Sequence, residues 1–112
     1  MTSEELNTAL YERLSAEQTA FIYELKRSPP ELIIEQAYEL VIREDILLSL
    51  EENDLTDKQC RALLKKEKPL SDLFLAWENS ESGHMEDIRN LIEHTANEQI
   101  RQDFLKQRRE SR

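Results

Sequence analysis

An all-α fold follows from three features of the sequence: apolar residues recur at three- and four-residue steps, capping residues and prolines punctuate those runs, and glycine is nearly absent. Sheets joined by tight turns need positive-φ positions, and Gly83 is the only residue that offers one without strain. The 112 residues match a single domain, 1–112, with about five helices in a compact bundle.

The first segment spans about 3 to 26, where Leu6, Leu10, Leu14, Phe21 and Leu25 keep one helical face apolar. It reads as one long helix or two short ones, because Ser15-Ala16-Glu17-Gln18 matches a capping box that would restart a helix after Leu14. Ser28-Pro29-Pro30-Glu31 then supplies a capping hydroxyl, a proline in the first turn and a glutamate, which opens a second helix. That helix runs to about Glu52 on Leu32, Ile33, Ala37, Leu40, Val41, Leu47 and Leu48, widened by Ile34, Tyr38, Ile42 and Ile46. So broad a stripe predicts the central, most buried helix, with Ile33 and Val41 inside it.

Asn53-Asp54 ends this run, and Thr56-Asp57-Lys58-Gln59 is a capping box flanked by Leu55 and Cys60 as a hydrophobic staple. It predicts a short third helix to about Lys66. Pro69 opens a short fourth, in which Leu70, Leu73, Phe74 and Trp77 share one face. The last helix runs from about His84 to Gln107 on Met85, Ile88, Leu91, Ile92, Ala96, Ile100 and Phe104, with a basic tail from about 100 to 112. Helices 1, 2 and 5 are expected side by side, with the short helices 3 and 4 closing one end.

No run of about 18 apolar residues is present, and the first residues lack a basic stretch followed by an apolar one, so neither a membrane span nor a secretory signal is expected. The lone Cys60 has no internal disulfide partner and fits a reducing cytoplasm. Net charge is −9, distributed as −9 over residues 1–54, +3 over 55–68, −6 over 69–99 and +3 over 100–112. Such a chain is repelled by bulk nucleic acid and by anionic membranes, and attracted to basic protein surfaces.

Catalytic and metal signals are weak. His84 and Asp87 share a helix face as half of a metal site, but His94, the other histidine, points elsewhere on the same helix. Glu44-Asp45 and Glu51-Glu52 are neighbours that diverge round a helix, and there is no phosphate loop or nucleophile motif. We therefore expect no enzyme, no metal and no cofactor. Residues 56–77 have the outline of a helix-turn-helix, yet the second helix carries Asp72 and Glu78 and no base, which argues against a recognition helix at phosphates.

Two surfaces are candidates for partner binding. Glu31, Glu35 and Glu39 recur at four-residue spacing, with Arg43 four beyond, and with Glu5, Glu12, Glu17 and Glu24 of the first helix they form either a solvated face or a carboxylate field resembling a phosphate backbone. Phe74 and Trp77 are the candidate apolar anchor. Partner and assembly expectations are a protein with a basic surface, no direct nucleic-acid contact, and room for a homodimer.

Several stretches taken together resemble a known family: Leu10-Tyr11-Glu12-Arg13-Leu14, Ala37-Tyr38-Glu39, Val41-Ile42-Arg43-Glu44-Asp45-Ile46-Leu47, Asp54-Leu55-Thr56-Asp57, Pro69-Leu70 and His84-Met85-Glu86-Asp87-Ile88-Arg89. They are similar to an uncharacterised family of small acidic helical proteins from mobile elements and prophages of Gram-positive gut bacteria. The resemblance implies an accessory role, with inhibition of a host defence enzyme as the first expectation, in the manner of anti-CRISPR proteins that occupy a basic groove of an RNA-guided nuclease. A generic helical adaptor docking through an apolar face is the alternative.

Overall fold

The computed structural model describes residues 1–80 and 82–110, and side chains for all of these except 82–84. It is all-helical: α1 Ser3–Lys26, α2 Pro30–Glu52, α3 Asp57–Leu64, α4 Pro69–Asn79 and α5 Ser82–Glu110, with no strand among the described residues. Its internal packing falls into two units, Met1–Trp77 and Glu78–Arg112.

Helix α1 is continuous through Ser15. Thr2 caps it, accepting the Glu5 N–H on Oγ1 at 3.1 Å, and Glu4 and Glu5 place negative charge in the first turn. The Ser15 box is overridden because Leu14 and Gln18 are both buried on one face, and breaking the helix between them would uncover that stripe. Its C-terminus tightens through Arg27 N–H to Glu24 O and Ser28 N–H to Leu25 O. The Ser28 hydroxyl donates back to Glu24 O at 2.9 Å, so it finishes α1 instead of capping α2, whose N-cap is Pro29 with no side-chain bond.

The expectation that the second helix is central is overturned. The axis is α1, which buries Leu6, Leu10, Leu14, Gln18 and Leu25, whereas α2 buries only Arg43 and Leu47. Apolar residues lie on two opposite sides of α2, and a helix at the edge of a small bundle covers one. Leu40, Arg43, Ile46, Leu47 and Leu50 turn inward, and Ile33 and Val41 stay exposed.

The core comprises Leu6, Leu10, Leu14, Leu47, Cys60 and Leu70, joined at its margin by Tyr11, Ile46, Leu55, Leu63 and Leu73. The capping box forms as the sequence specifies: Gln59 N–H donates to Thr56 Oγ1 at 3.2 Å and Thr56 N–H to Gln59 Oε1 at 3.0 Å. It sets the angle at which α3 drops Cys60 into the core.

Within the first unit, Leu47 of α2, Cys60 of α3 and Leu70 of α4 meet the buried leucines of α1. In the second unit, α5 buries none of its described side chains; Met85, Leu91, Ile92, Ile100 and Phe104 are each more than half exposed. Arg108 and Arg109 close its last turn, where positive charge complements the helix dipole.

Candidate functional site

Four polar side chains of α1 hold the rest of the first unit in place. Asn7 bonds Leu55 twice, donating to its carbonyl at 3.1 Å and accepting its N–H at 2.9 Å, which fixes the chain entering α3. Arg13 donates to the carbonyls of Lys66 and Glu67 and satisfies acceptors left over after α3. Glu17 accepts the N–H groups of Leu70 and Ser71 at 2.9 and 2.8 Å, acting as a helix cap supplied from another element. Gln18 donates to Glu44 on α2 at 2.9 Å.

Arg43 extends this set. It is 4% exposed, donates from Nε to Glu39 at 2.9 Å and from Nη2 to Ser71 Oγ at 2.8 Å, and stacks 4.1 Å above the Phe21 ring. Ser71 Oγ donates in turn to Glu17 at 2.9 Å, so Glu39, Arg43, Ser71 and Glu17 form one chain across α2, α4 and α1. Arg43 Nη1 and Gln18 Oε1 are buried without a hydrogen-bond partner among the described residues.

These contacts redraw the carboxylate field. Successive residues at four-residue spacing advance about 40° round a helix, so the row Glu31, Glu35, Glu39 rolls from solvent toward the bundle. Glu31 and Glu35 are exposed; Glu39 is half-buried and neutralised by Arg43. Glu12 and Glu24 are exposed on α1 but line different surface grooves, the first with Met1 and Glu5, the second with Phe21, Arg43 and Lys68. One continuous phosphate-like field is not formed.

The two aromatic candidates also separate. Phe74 is 6% exposed, edge-on to Tyr38 with ring centres 6.4 Å apart, and is therefore core rather than anchor. Trp77 is 44% exposed and donates from Nε1 to Tyr38 Oη at 2.9 Å. That bond holds the indole in place.

The surface the sequence reading missed is the outer side of α2. Ile34, Val41 and Leu48 repeat at seven-residue intervals, with Tyr38 between them, and all four are exposed, Ile34 by 75%. Asp45 and Glu52 share this side, and Glu31 flanks it. Its signal in the sequence is the excess width of the apolar stripe, which deep burial and a second, open side explain equally well.

Elsewhere, Lys58 and Arg61 of α3 and Lys65 just after it line one groove of about 450 Å³. Burial pushes the Cys60 thiol above its ordinary value, and the carboxylates of Asp57 and then Asp54 push the same way. Among the described residues no three His, Cys, Asp or Glu side chains gather as metal ligands, and the side chain of His84 lies outside them. No helix among the described residues is long and apolar enough to cross a membrane.

Fold and surface together define a small all-helical protein with a polar-clamped core and an acid-edged apolar seam on its outer helix. The chain belongs to the DUF3848 family of proteins of unknown function, whose profile matches residues 6–100. No match is found among the curated proteins or among the solved structures.

Proposed function

We propose that this protein is a non-catalytic binding module that docks on a partner protein through the outer face of α2. The observation that carries the reading is the exposed seam of Ile34, Tyr38, Val41 and Leu48, whose seven-residue repeat suits a partner helix laid along it. Trp77, tied to Tyr38, adds the kind of aromatic side chain on which binding energy concentrates. Glu31, Asp45 and Glu52 at the edge favour a partner whose contact surface is rimmed by Lys and Arg.

In this proposal the partner is a host nucleic-acid-processing enzyme, with an RNA-guided nuclease the first to try, and the protein acts from a mobile element as its inhibitor. Support comes from the −9 net charge, which suits a basic groove, and from the resemblance to mobile-element proteins. The test titrates the full chain into a guide-loaded nuclease while DNA binding and cleavage are followed in parallel, with Val41→Lys as the comparison. Inhibition that Val41→Lys abolishes supports the reading. Inhibition that survives Val41→Lys removes α2 as the docking face, and absence of inhibition by the parent removes the nuclease as partner. A folded protein that captures a basic helical peptide through the same seam without touching the nuclease would favour the adaptor role.

A further inference from the structure

We infer that α5 is a self-association helix that pairs antiparallel with α5 of a second copy of this chain, crossing at Ala96. This goes beyond the docking role of α2 and does not rest on it. The starting observation is a 29-residue helix with no buried described side chain, whose exposed residues include Ile88, Leu91, Ile92, Ile100 and Phe104. Exposed apolar surface of this extent on one helix calls for a cover.

Symmetry of the sequence names the cover. Ile88, Ile92, Ala96, Ile100 and Phe104 form one ridge at four-residue steps. That ridge is symmetric about its middle member, so in an antiparallel pair Ile92 meets Ile100 on both sides of the two-fold axis, and Ile88 and Phe104, about 80° round the helix from Ala96, flank the contact at its margins. Ala96 then meets its own copy. It is the smallest residue of the ridge and stands where the two backbones must approach most closely.

The charges obey the same symmetry. With Ala96 on the axis, Arg89 faces Asp103 of the second copy, and Glu86 lies opposite Lys106 at the margin. A parallel alignment in register would set each of these against its own kind. Within a single helix Arg89 pairs with Glu93 at 2.9 Å and Gln99 donates to Asp103 at 3.0 Å, both on the surface. Such exposed contacts are weak enough to be shared or exchanged when a second helix arrives.

Sedimentation equilibrium of the full chain over a wide concentration range tests the pairing. The parent should form a dimer. Ala96→Glu, which sets two carboxylates together on the axis, should weaken it by more than about tenfold. Arg89→Glu alone and Asp103→Lys alone should each weaken it by about tenfold, since each creates two like-charge contacts per dimer.

The double variant Arg89→Glu with Asp103→Lys should recover the dimer to within about threefold of the parent. Residues 89 and 103 lie about 21 Å apart along one helix, so rescue cannot arise within a chain. Circular dichroism on each variant reports whether helix content is kept. A parent that stays monomeric at all concentrations, as it would with a foreign protein as the natural cover, overturns the proposal, and so does a dimer indifferent to Ala96→Glu or a double variant no better than the singles.

Discussion

Glu17 accepts two hydrogen bonds from Ser71, one from its N–H at 2.8 Å and one from its hydroxyl at 2.9 Å, across a sequence separation of 54 residues. A carboxylate on the first helix thus caps the fourth, and the positive end of the α4 dipole faces it. Charge-assisted bonds of this kind leave orphaned donors when removed. Glu17→Ala should destabilise the protein by about 1 to 2 kcal/mol, read as a lowered midpoint in urea. Glu17→Gln should cost less, because its amide oxygen still accepts one bond.

Arg43 makes the other half of that chain, and its burial sets the scale of its loss. Replacing it by alanine removes the stack on Phe21 and strands the half-buried Glu39, so we expect roughly 3 kcal/mol of destabilisation. Arg43→Lys should recover little, since an ammonium cannot reach Glu39 and Ser71 together while lying flat on a ring. Near-parental stability for Arg43→Lys in chemical unfolding would show that only the charge matters here.

Helices α1 and α2 differ sharply in how much of their apolar surface is buried. Leu10→Ala and Leu14→Ala remove side chains that are 1% and 0% exposed and should cost about 2 to 5 kcal/mol each. Ile33→Ala and Val41→Ala, on the helix the sequence had pointed to as central, should cost under about 1 kcal/mol. Equilibrium unfolding of the four variants decides which helix is the axis.

That reversal shows what was legible in the sequence and what was not. Interactions that close within a few residues were readable: the Thr56 and Gln59 box, the proline start of α4 and the outlines of all five helices depend on local spacing. Contacts between distant residues were not. Nothing near Glu17 marks it as a cap for Ser71, and nothing in the α2 pattern says which of its two apolar sides is covered. One clue was available, since Arg43 sits three residues after Leu40 and four before Leu47, on the inward seam. Burial of an arginine requires acceptors, and these come from Glu39 and from Ser71, the latter 28 residues away and invisible to local spacing. At the candidate site, the face of Phe74 and Trp77 reads from sequence equally as core or interface, and the structure divides it, burying Phe74 beside Tyr38 and leaving Trp77 44% exposed, while Glu39 is drawn inward by Arg43.

Cys60 should behave as an inert thiol in the folded protein. It is fully buried, and its raised pKa means that less thiolate is present at any pH below that value than a free cysteine would hold. Alkylation by a maleimide should be slow at neutral pH and should accelerate to the rate of an unfolded chain in denaturant. Faster reaction at higher pH without unfolding would report thiolate formation in place. Reaction of the native protein at the rate of a free thiol at neutral pH would contradict the burial.

The acidic edge of α2 can be divided into charges that serve the fold and charges left for a partner. Glu39 is held by Arg43, so Glu39→Gln should lower stability by about 1 kcal/mol and leave the salt dependence of partner binding unchanged. Glu31 and Glu35 are exposed on the same helix, and changing both to glutamine keeps helix propensity nearly constant. That pair of changes should leave the melting temperature within a degree or two, weaken binding to a basic partner at low salt, and flatten the decline of affinity with added salt. Measured with the nuclease or basic peptide that the parent binds, the two sets of variants should separate cleanly, Glu39 in the unfolding curve and Glu31 with Glu35 in the binding curve. An unchanged salt slope for the Glu31 and Glu35 variant would mean that docking on α2 is carried by Ile34, Val41, Leu48 and Trp77 alone, with the acidic edge left as solvated surface.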